Sequence, residues 1–283
     1  RSKTGGRAMA APGTVGYEVL FTDAQVHEWL SSISPWPVAP SIATGMRLSI
    51  ATTLLTVVCE LIAFSSVLGM LRTKPALYAR AWTSSLFNNL IVGPCVAYVA
   101  FGYLCGPDLE RWARFRAALG VLAIHSVGYY AAHRLMHTKA MYWAHSFHHQ
   151  YNTYVVPTAA SAVSFTEYFL AYMLPFIVGC LVCRPDKHAL YCTASLISLA
   201  NILIHTPPLE DLAAMVIPPM FVGTDRHIDH HRKLTKNYGA SVVNTDWFVA
   251  QSPMLSKTMD AFFLAVGGKP VAVSSASTRN KGL

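Results

Sequence analysis

Charge is what this chain of 283 residues has least of. Asp, Glu, Lys and Arg make up 13% of it, against about 25% in soluble domains. Hydrophobic residues are 53% and mean hydropathy is +0.36. So much apolar surface excludes intrinsic disorder. With only 17 Gly and 16 Pro, collagen-like composition is excluded as well. Six Cys spread over this length do not make a disulfide scaffold. No internal repeat of about 20–50 residues is visible, which excludes a solenoid. What remains is a membrane protein.

The balance of charge is basic, +8 with a pI near 9.2. The Lys and Arg are scattered between apolar segments, as cations flanking membrane spans are, so a nucleic-acid partner is not expected. Basic loops also suit anionic lipid or an acidic partner protein. The cysteines lie within apolar runs or at their ends, and the Cys180-x-x-Cys183 pair reads as two small apolar residues on a helix. The first residue is Arg1 and not Met, which reads as a fragment or a processed product. No targeting segment is visible in what is there.

A bilayer core of about 30 Å takes about 20 apolar residues as helix. Five stretches are candidates: Leu48–Leu71, Leu86–Cys105, Ala117–Ala132 continuing as helix through His137, Ala162–Cys183 kinked at Pro175, and His188–Thr206. The last two are joined by Arg184, Pro185, Asp186 and Lys187 alone, a tight helical hairpin. Leu212–Gly223 is apolar but short and carries Pro218 and Pro219, so it is expected at the interface or packed on the bundle. The expected fold is an all-α integral membrane bundle of about four to five spans with a histidine-rich, metal-binding cap. Residues 1–44 form an N-terminal segment, 45–273 the membrane domain and 274–283 a flexible tail; Arg1–Thr14 also reads as loose. The larger share of Lys and Arg falls on the side holding 133–161 and 207–283, which points that side to the cytosol. Glu60 and Glu167, inside apolar runs, are expected to face the bundle interior, either hydrogen-bonded there or at a site.

Eight of the twelve histidines occupy three five-residue windows: His133 and His137; His145, His148 and His149; His227, His230 and His231. On a helix, residues four apart share a face. His133 and His137 therefore aim at one point. In each H-x-x-H-H the first and third rings do the same, and the middle ring points about 100° away, towards a second point. Three windows thus supply nitrogens for two metal ions, as facing helices of a bundle commonly do. Without metal, eight imidazoles on one side of the bilayer would have to stay neutral or repel one another. His205, at the end of the fifth stretch, returns to the same side as a ninth ligand candidate. His27, His125 and His188 stand alone and read as hydrogen-bonded or interfacial groups. Imidazole without thiolate suits iron, copper, zinc or nickel. The H-E-x-x-H of zinc hydrolases is absent. Iron fits a chain that works on lipid, because oxidising an unactivated C–H bond needs a redox metal and dioxygen.

At these residues the sequence resembles the fatty acid hydroxylase and sterol desaturase superfamily of membrane proteins. The pattern is H-x3-H, H-x2-H-H and, after a helical hairpin, a second H-x2-H-H. The resemblance runs from about Leu86 to Phe248. Arg134 follows His133, Tyr130 precedes it by three residues, Asn237-Tyr238-Gly239 and Asp246-Trp247 follow the last box, and Asn88-Asn89 stands in the second span. Three positions depart: Ser126 replaces an aspartate, Ser164-Phe165-Thr166-Glu167 stands where members often read His-Pro-x-Glu, and no Gly-Thr follows Phe248.

The resemblance implies an oxidoreductase of the endoplasmic reticulum membrane with two iron ions. Its metal ligands would be His133, His137, His145, His148, His149, His227, His230 and His231, with His205 beside them. It would take dioxygen, electrons from NAD(P)H through cytochrome b5 or a similar carrier, and a lipid, sterol or fatty acyl, to hydroxylate or desaturate. Asp225 and Asp229 are candidates to orient imidazoles. Arg134, Arg226, Arg232, Lys233 and Lys236 are candidates to dock an acidic carrier or lipid headgroups. The competing readings are an inactive relative and a membrane protein that binds or transports metal.

Overall fold

A computed structural model describes residues 22–34, 38–239 and 241–268. The ends read above as loose, Arg1–Thr14 and Ser274–Leu283, lie outside them. Among the described residues every regular element is helical, and β-structure is one bridge, Phe221 with Val243.

α1 (Asp23–Ile33) opens on a capping box made by Thr22 and Gln25. It rests on α2 (Pro40–Ile62), where Asp23 takes Arg47 at 2.9 Å. Pro40 starts α2 ahead of the apolar stretch, at a position where a missing N–H costs nothing. The helix stops at Ala63, so Leu48–Leu71 is two helices, and α3 (Phe64–Thr73) continues from there. Lys74 and Pro75 make the next corner. From it α4 (Pro75–Phe87), a π-turn (Asn88–Val92), α5 (Gly93–Val99) and a second π-turn (Ala100–Leu104) run on as one long helix. α6 (Arg111–Met136) contains Ala117–Ala132 and is capped by His137.

The short α7 (Tyr142–His145) leads through 3-10 turns to α8 (Phe165–Glu167), a π-turn (Tyr168–Met173) and α9 (Leu174–Cys183). Arg184 takes a left-handed conformation (φ 47°) and Asp186 caps α10 (Lys187–Ile204), which is the tight hairpin the sequence leads one to expect. α11 (Glu210–Val216), α12 (Thr224–Lys233), α13 (Thr245–Ala250) and α14 (Pro253–Ala265) follow.

Two of the π-turns end just before Pro94 and Pro175. Proline offers no N–H and its ring collides with the carbonyl four residues back. A wider turn upstream absorbs both problems. At Pro175, where a kink is expected, the helix therefore carries a π-turn.

Among the described residues, four helices are long and apolar enough to cross a membrane: Pro40–Ile62, Pro75–Leu104, Phe165–Cys183 and Lys187–Ile204. α6 packs against α9 and α10. Close approach uses small residues, as in membrane bundles. A Cβ on Gly45 would meet Ala97 at 2.4 Å, and one on Gly128 would meet Pro175 at 2.7 Å. Outward, Leu61 is 69% exposed and Val182 67%; a belt of such residues is stable in lipid and not in water. All six thiols are free, and Cys180 packs among Val121 and Leu190 as an apolar residue.

Candidate metal centre

Five separate elements deliver imidazoles to one end of the bundle. The last turn and cap of α6 give His133 and His137; α7 gives His145, and the 3-10 turn after it (His148–Tyr151) gives His148 and His149; α12 gives His227, His230 and His231; the cap of α10 gives His205. Eight of the nine are buried and His137 is half-buried.

They form two groups. His133, His137, His145, His149 and His230 make one; His148, His205, His227 and His231 make the other. Within each group the ring nitrogens that face one another lie within 4.8 Å. In both H-x-x-H-H windows the first and third rings share a group and the middle ring joins the other; on α12 a turn of about 100° per residue accounts for this.

Hydrogen bonds fix the tautomers of three rings. Nδ1 of His133, His205 and His230 each lie 2.7 Å from a backbone carbonyl, those of Tyr238, Asn201 and Lys236. A carbonyl only accepts, so these Nδ1 atoms carry the proton and Nε2 is a bare lone pair. His145 Nδ1 lies 2.8 Å from the Glu167 carboxylate. Inside the groups, Nε2 atoms face Nε2 atoms: His133 and His145 at 2.9 Å, His137 and His149 at 3.1 Å, His205 and His227 at 2.9 Å, His227 and His231 at 3.2 Å. Each such pair either shares one N–H or offers two lone pairs to a cation between them. Metal–nitrogen bonds of about 2.1 Å at right angles place ligands about 3 Å apart, which is the spacing here. Nε2 of His148 and of His230 are buried without any hydrogen-bond partner.

Protonation is unfavourable throughout. Burial first, and neighbouring imidazoles after it, hold His145, His148, His149, His227 and His231 well below the ordinary histidine range. Burial pushes His205 and His230 down to about 4. The rings are therefore neutral at pH 7, the form in which imidazole binds metal. Neutral nitrogens, missing partners and right-angle spacing together fit an imidazole-binding transition metal in each group.

The rings are held from behind by groups whose role their position in the sequence does not spell out. The loop after α12 turns at Asn237 (φ 58°), and Asp246 accepts the Gly239 N–H at 2.5 Å. This seats the Tyr238 carbonyl on His133. Glu167 keeps its place beside His145 although His-Pro is replaced by Ser164-Phe165. Ser164 instead caps α8, accepting from the Glu167 N–H, and donates to the Ala144 carbonyl at 2.6 Å.

Other expectations need correction. Asp229 does not orient an imidazole: its carboxylate takes Lys233 at 2.7 Å and Lys236 at 2.6 Å. Arg134 is no docking residue. It is 3% exposed, pairs with Asp260 at 2.8 Å and lies over the Phe263 ring, tying α14 to α6. Arg226 donates to the Phe221 carbonyl, and Arg232 pairs with Glu210. Other readings are met: Glu60 takes the hydrogen-bonded alternative, with Tyr78 and Thr158 both donating to its carboxylate. His27 bonds the Val38 carbonyl at 2.8 Å and His188 is exposed.

Residues 118–250 match the family model for fatty acid hydroxylase. They are a fatty acid hydroxylase domain, of the fatty acid hydroxylase and sterol desaturase superfamily. No curated protein and no solved structure matches the chain. The fatty acid hydroxylase domain encloses all nine clustered histidines, the Tyr238 and Asn201 carbonyls and Glu167. Its family is one of lipid-modifying oxygenases and desaturases. The helices α1 to α5, which pack on it, lie ahead of the matched residues.

Proposed function

We propose that this protein is a membrane-bound, di-iron, dioxygen-dependent oxidoreductase that hydroxylates or desaturates a lipid, sterol or fatty acyl, in lipid or sterol biosynthesis. The observation that carries this is the pair of buried imidazole groups at one end of a membrane bundle, with ring nitrogens about 3 Å apart. His133, His137, His145, His149 and His230 would hold one iron; His148, His205, His227 and His231 would hold the other. Iron so bound supplies the activation of dioxygen that oxidation of an unactivated C–H bond requires.

The protein's own groups do the rest. The carbonyls of Tyr238, Asn201 and Lys236 hold three rings in the tautomer that offers Nε2. The Glu167 carboxylate, 2.8 Å from His145 Nδ1, holds a fourth ring. Burial keeps the groups dry, which protects a reactive centre from water. The membrane is that of the endoplasmic reticulum, with the histidines on the cytosolic side, and electrons arrive from NAD(P)H through cytochrome b5 or a similar carrier. Of the basic residues, Arg232 and Lys233 are more than half exposed and meet the carrier or the headgroups, although both already have acidic partners. Transport of metal would need ligands spread across the bilayer; these nine gather at one end.

The test is the metal content of detergent-purified, iron-supplemented protein beside a His148→Ala, His230→Ala double variant, which takes one ring from each group. About two irons per chain in the wild type, lost in the variant, is the expected result. A wild-type protein that holds no iron would overturn the oxygenase reading.

A further inference from the structure

His125 does not behave as the lone, hydrogen-bonded histidine it resembles in sequence. It is 1% exposed, and its Nδ1 has no hydrogen-bond partner. It lines a partly open cavity of about 120 Å³ between α2, α5, α6, α10 and the helix Phe165–Cys183. The cavity reaches Asn201, one turn before His205, whose Nδ1 bonds the Asn201 carbonyl.

Three features mark this cavity. No Asp, Glu, Lys or Arg lines it. Its polar groups are poorly satisfied: besides His125, Asn89 makes only 3.5 Å contacts, from Nδ2 to Ser85 and from the Tyr168 hydroxyl to Oδ1. Those are at the weak limit of hydrogen bonding. Finally, the two π-turns that precede Pro94 and Pro175 both border it, through Asn89 on one side and Tyr168 and Tyr172 on the other. Wide turns of this kind recur at functional sites. Polar groups at membrane depth are costly unless something satisfies them.

We infer that this cavity holds the lipid by a neutral hydroxyl or carbonyl, hydrogen-bonded to His125 and Asn89. The inference rests on the lipid-oxygenase reading and narrows its substrate. A carboxylate or phosphate would enter a chamber without a cation to meet it, and a pure hydrocarbon would leave His125 and Asn89 unsatisfied. The bound group is an anchor and not the point of reaction, because His125 lies about 12 Å along α6 from His133. His125 is then a specificity-determining residue.

Binding to purified protein in detergent tests this directly. The probes are cholesterol, octadecan-1-ol and octadecan-2-one, compared with 5α-cholestane, octadecane and stearate. The wild type should prefer at least one neutral polar probe over its hydrocarbon by about tenfold, the worth of a buried hydrogen bond, with stearate no better than octadecane. His125→Phe and Asn89→Leu, on different helices, should each cut that preference below about threefold, and His125→Gln should keep it. All three should keep wild-type iron content and elution profile. A variant that aggregates is replaced by the other. No preference in the wild type, or an undiminished preference in the folded variants, overturns the inference. The two readings fail separately. Iron-free protein that still prefers the polar probe defeats the oxygenase reading alone, and iron-loaded protein that ignores the polar group defeats the anchor alone.

Discussion

The two ends of the bundle treat buried polar groups in opposite ways. At the hairpin end, Asp186 is wholly buried and fully engaged: it accepts from the Ala189 and Leu109 amides at 2.8 and 3.1 Å and from Arg114 at 2.5 Å. At the histidine end, nine imidazoles crowd together; Nε2 atoms face Nε2 atoms in four close pairs, and those of His148 and His230 have no hydrogen-bond partner. Both clusters are polar and dry. The difference is that one is complete as folded and the other is complete only with something added. A satisfied buried network contributes to stability. An unsatisfied one marks a place where a ligand belongs.

The comparison is broken most severely at Asp186. Replacing it with Ala removes the cap of α10 and strands two amides and a guanidinium. Hydrogen bonds to charged groups are worth about 1.5–3 kcal/mol each, and the half-exposed Arg114 recovers part of its share from water. A loss of about 3 kcal/mol is expected, read from denaturation midpoints in detergent, with iron per folded chain unchanged. The pH dependence has a definite sign. Burial tends to raise the Asp186 pKa, but the amides and Arg114 outweigh it and leave it lowered. Its contribution is therefore present at neutral pH and is lost on acidification through the lowered pKa. The Asp186→Ala variant should show a flatter acid limb than the wild type. An iron content that fell with Asp186 would mean that the two ends are not independent.

The next break is at Glu167. Glu167→Gln keeps the size of the side chain and removes the carboxylate beside His145. Groups that orient metal ligands typically account for 10–100-fold in metal affinity. Iron affinity should fall in that range, measured by chelator competition, while the stability of metal-free protein hardly moves. Unchanged affinity would show that the carboxylate merely fills space behind the ring.

Much of this was legible in the sequence, and the physical reasons for the rest are particular. The apolar stretches mark the spans because burial in lipid demands length and hydropathy together. The break at Ala63 has no proline or glycine to announce it, and it arises where α3 turns to pack Val67 and Met70 on Val156 and Ala159. The histidines were legible because spacing on a helix is direction. The groups behind them were not: a carbonyl such as that of Tyr238 belongs to every residue and leaves no letter in the sequence. Arg134 misleads for a related reason. An arginine beside a ligand box reads as surface charge, and its partner Asp260 lies 126 residues away, beyond any local pattern. His125 looked ordinary because a lone histidine usually finds a partner, and only a cavity shows that this one has not.

The two glutamates sharpen the comparison at the smallest scale. Glu60 and Glu167 are each a single acid in an apolar stretch, and each is buried. Hydropathy does not tell them apart; only the family pattern around Ser164–Glu167 does. Glu60 has two hydroxyls aimed at it, from Tyr78 and Thr158, and so behaves like Asp186; Glu167 has an imidazole of the cluster and so behaves like the histidines. Glu60→Gln keeps one oxygen to accept from a hydroxyl and turns the other towards a second hydroxyl as an NH2, which that hydroxyl can accept. Both bonds to the carboxyl group become bonds to an amide, and a cost of about 1 kcal/mol is expected. Iron affinity should stay at the wild-type value. Set beside Glu167→Gln, the pair separates stability from metal binding in opposite directions with the same chemical change. If Glu60→Gln lowered iron affinity as much as Glu167→Gln does, burial alone, and not the identity of the partner, would be what these acids contribute.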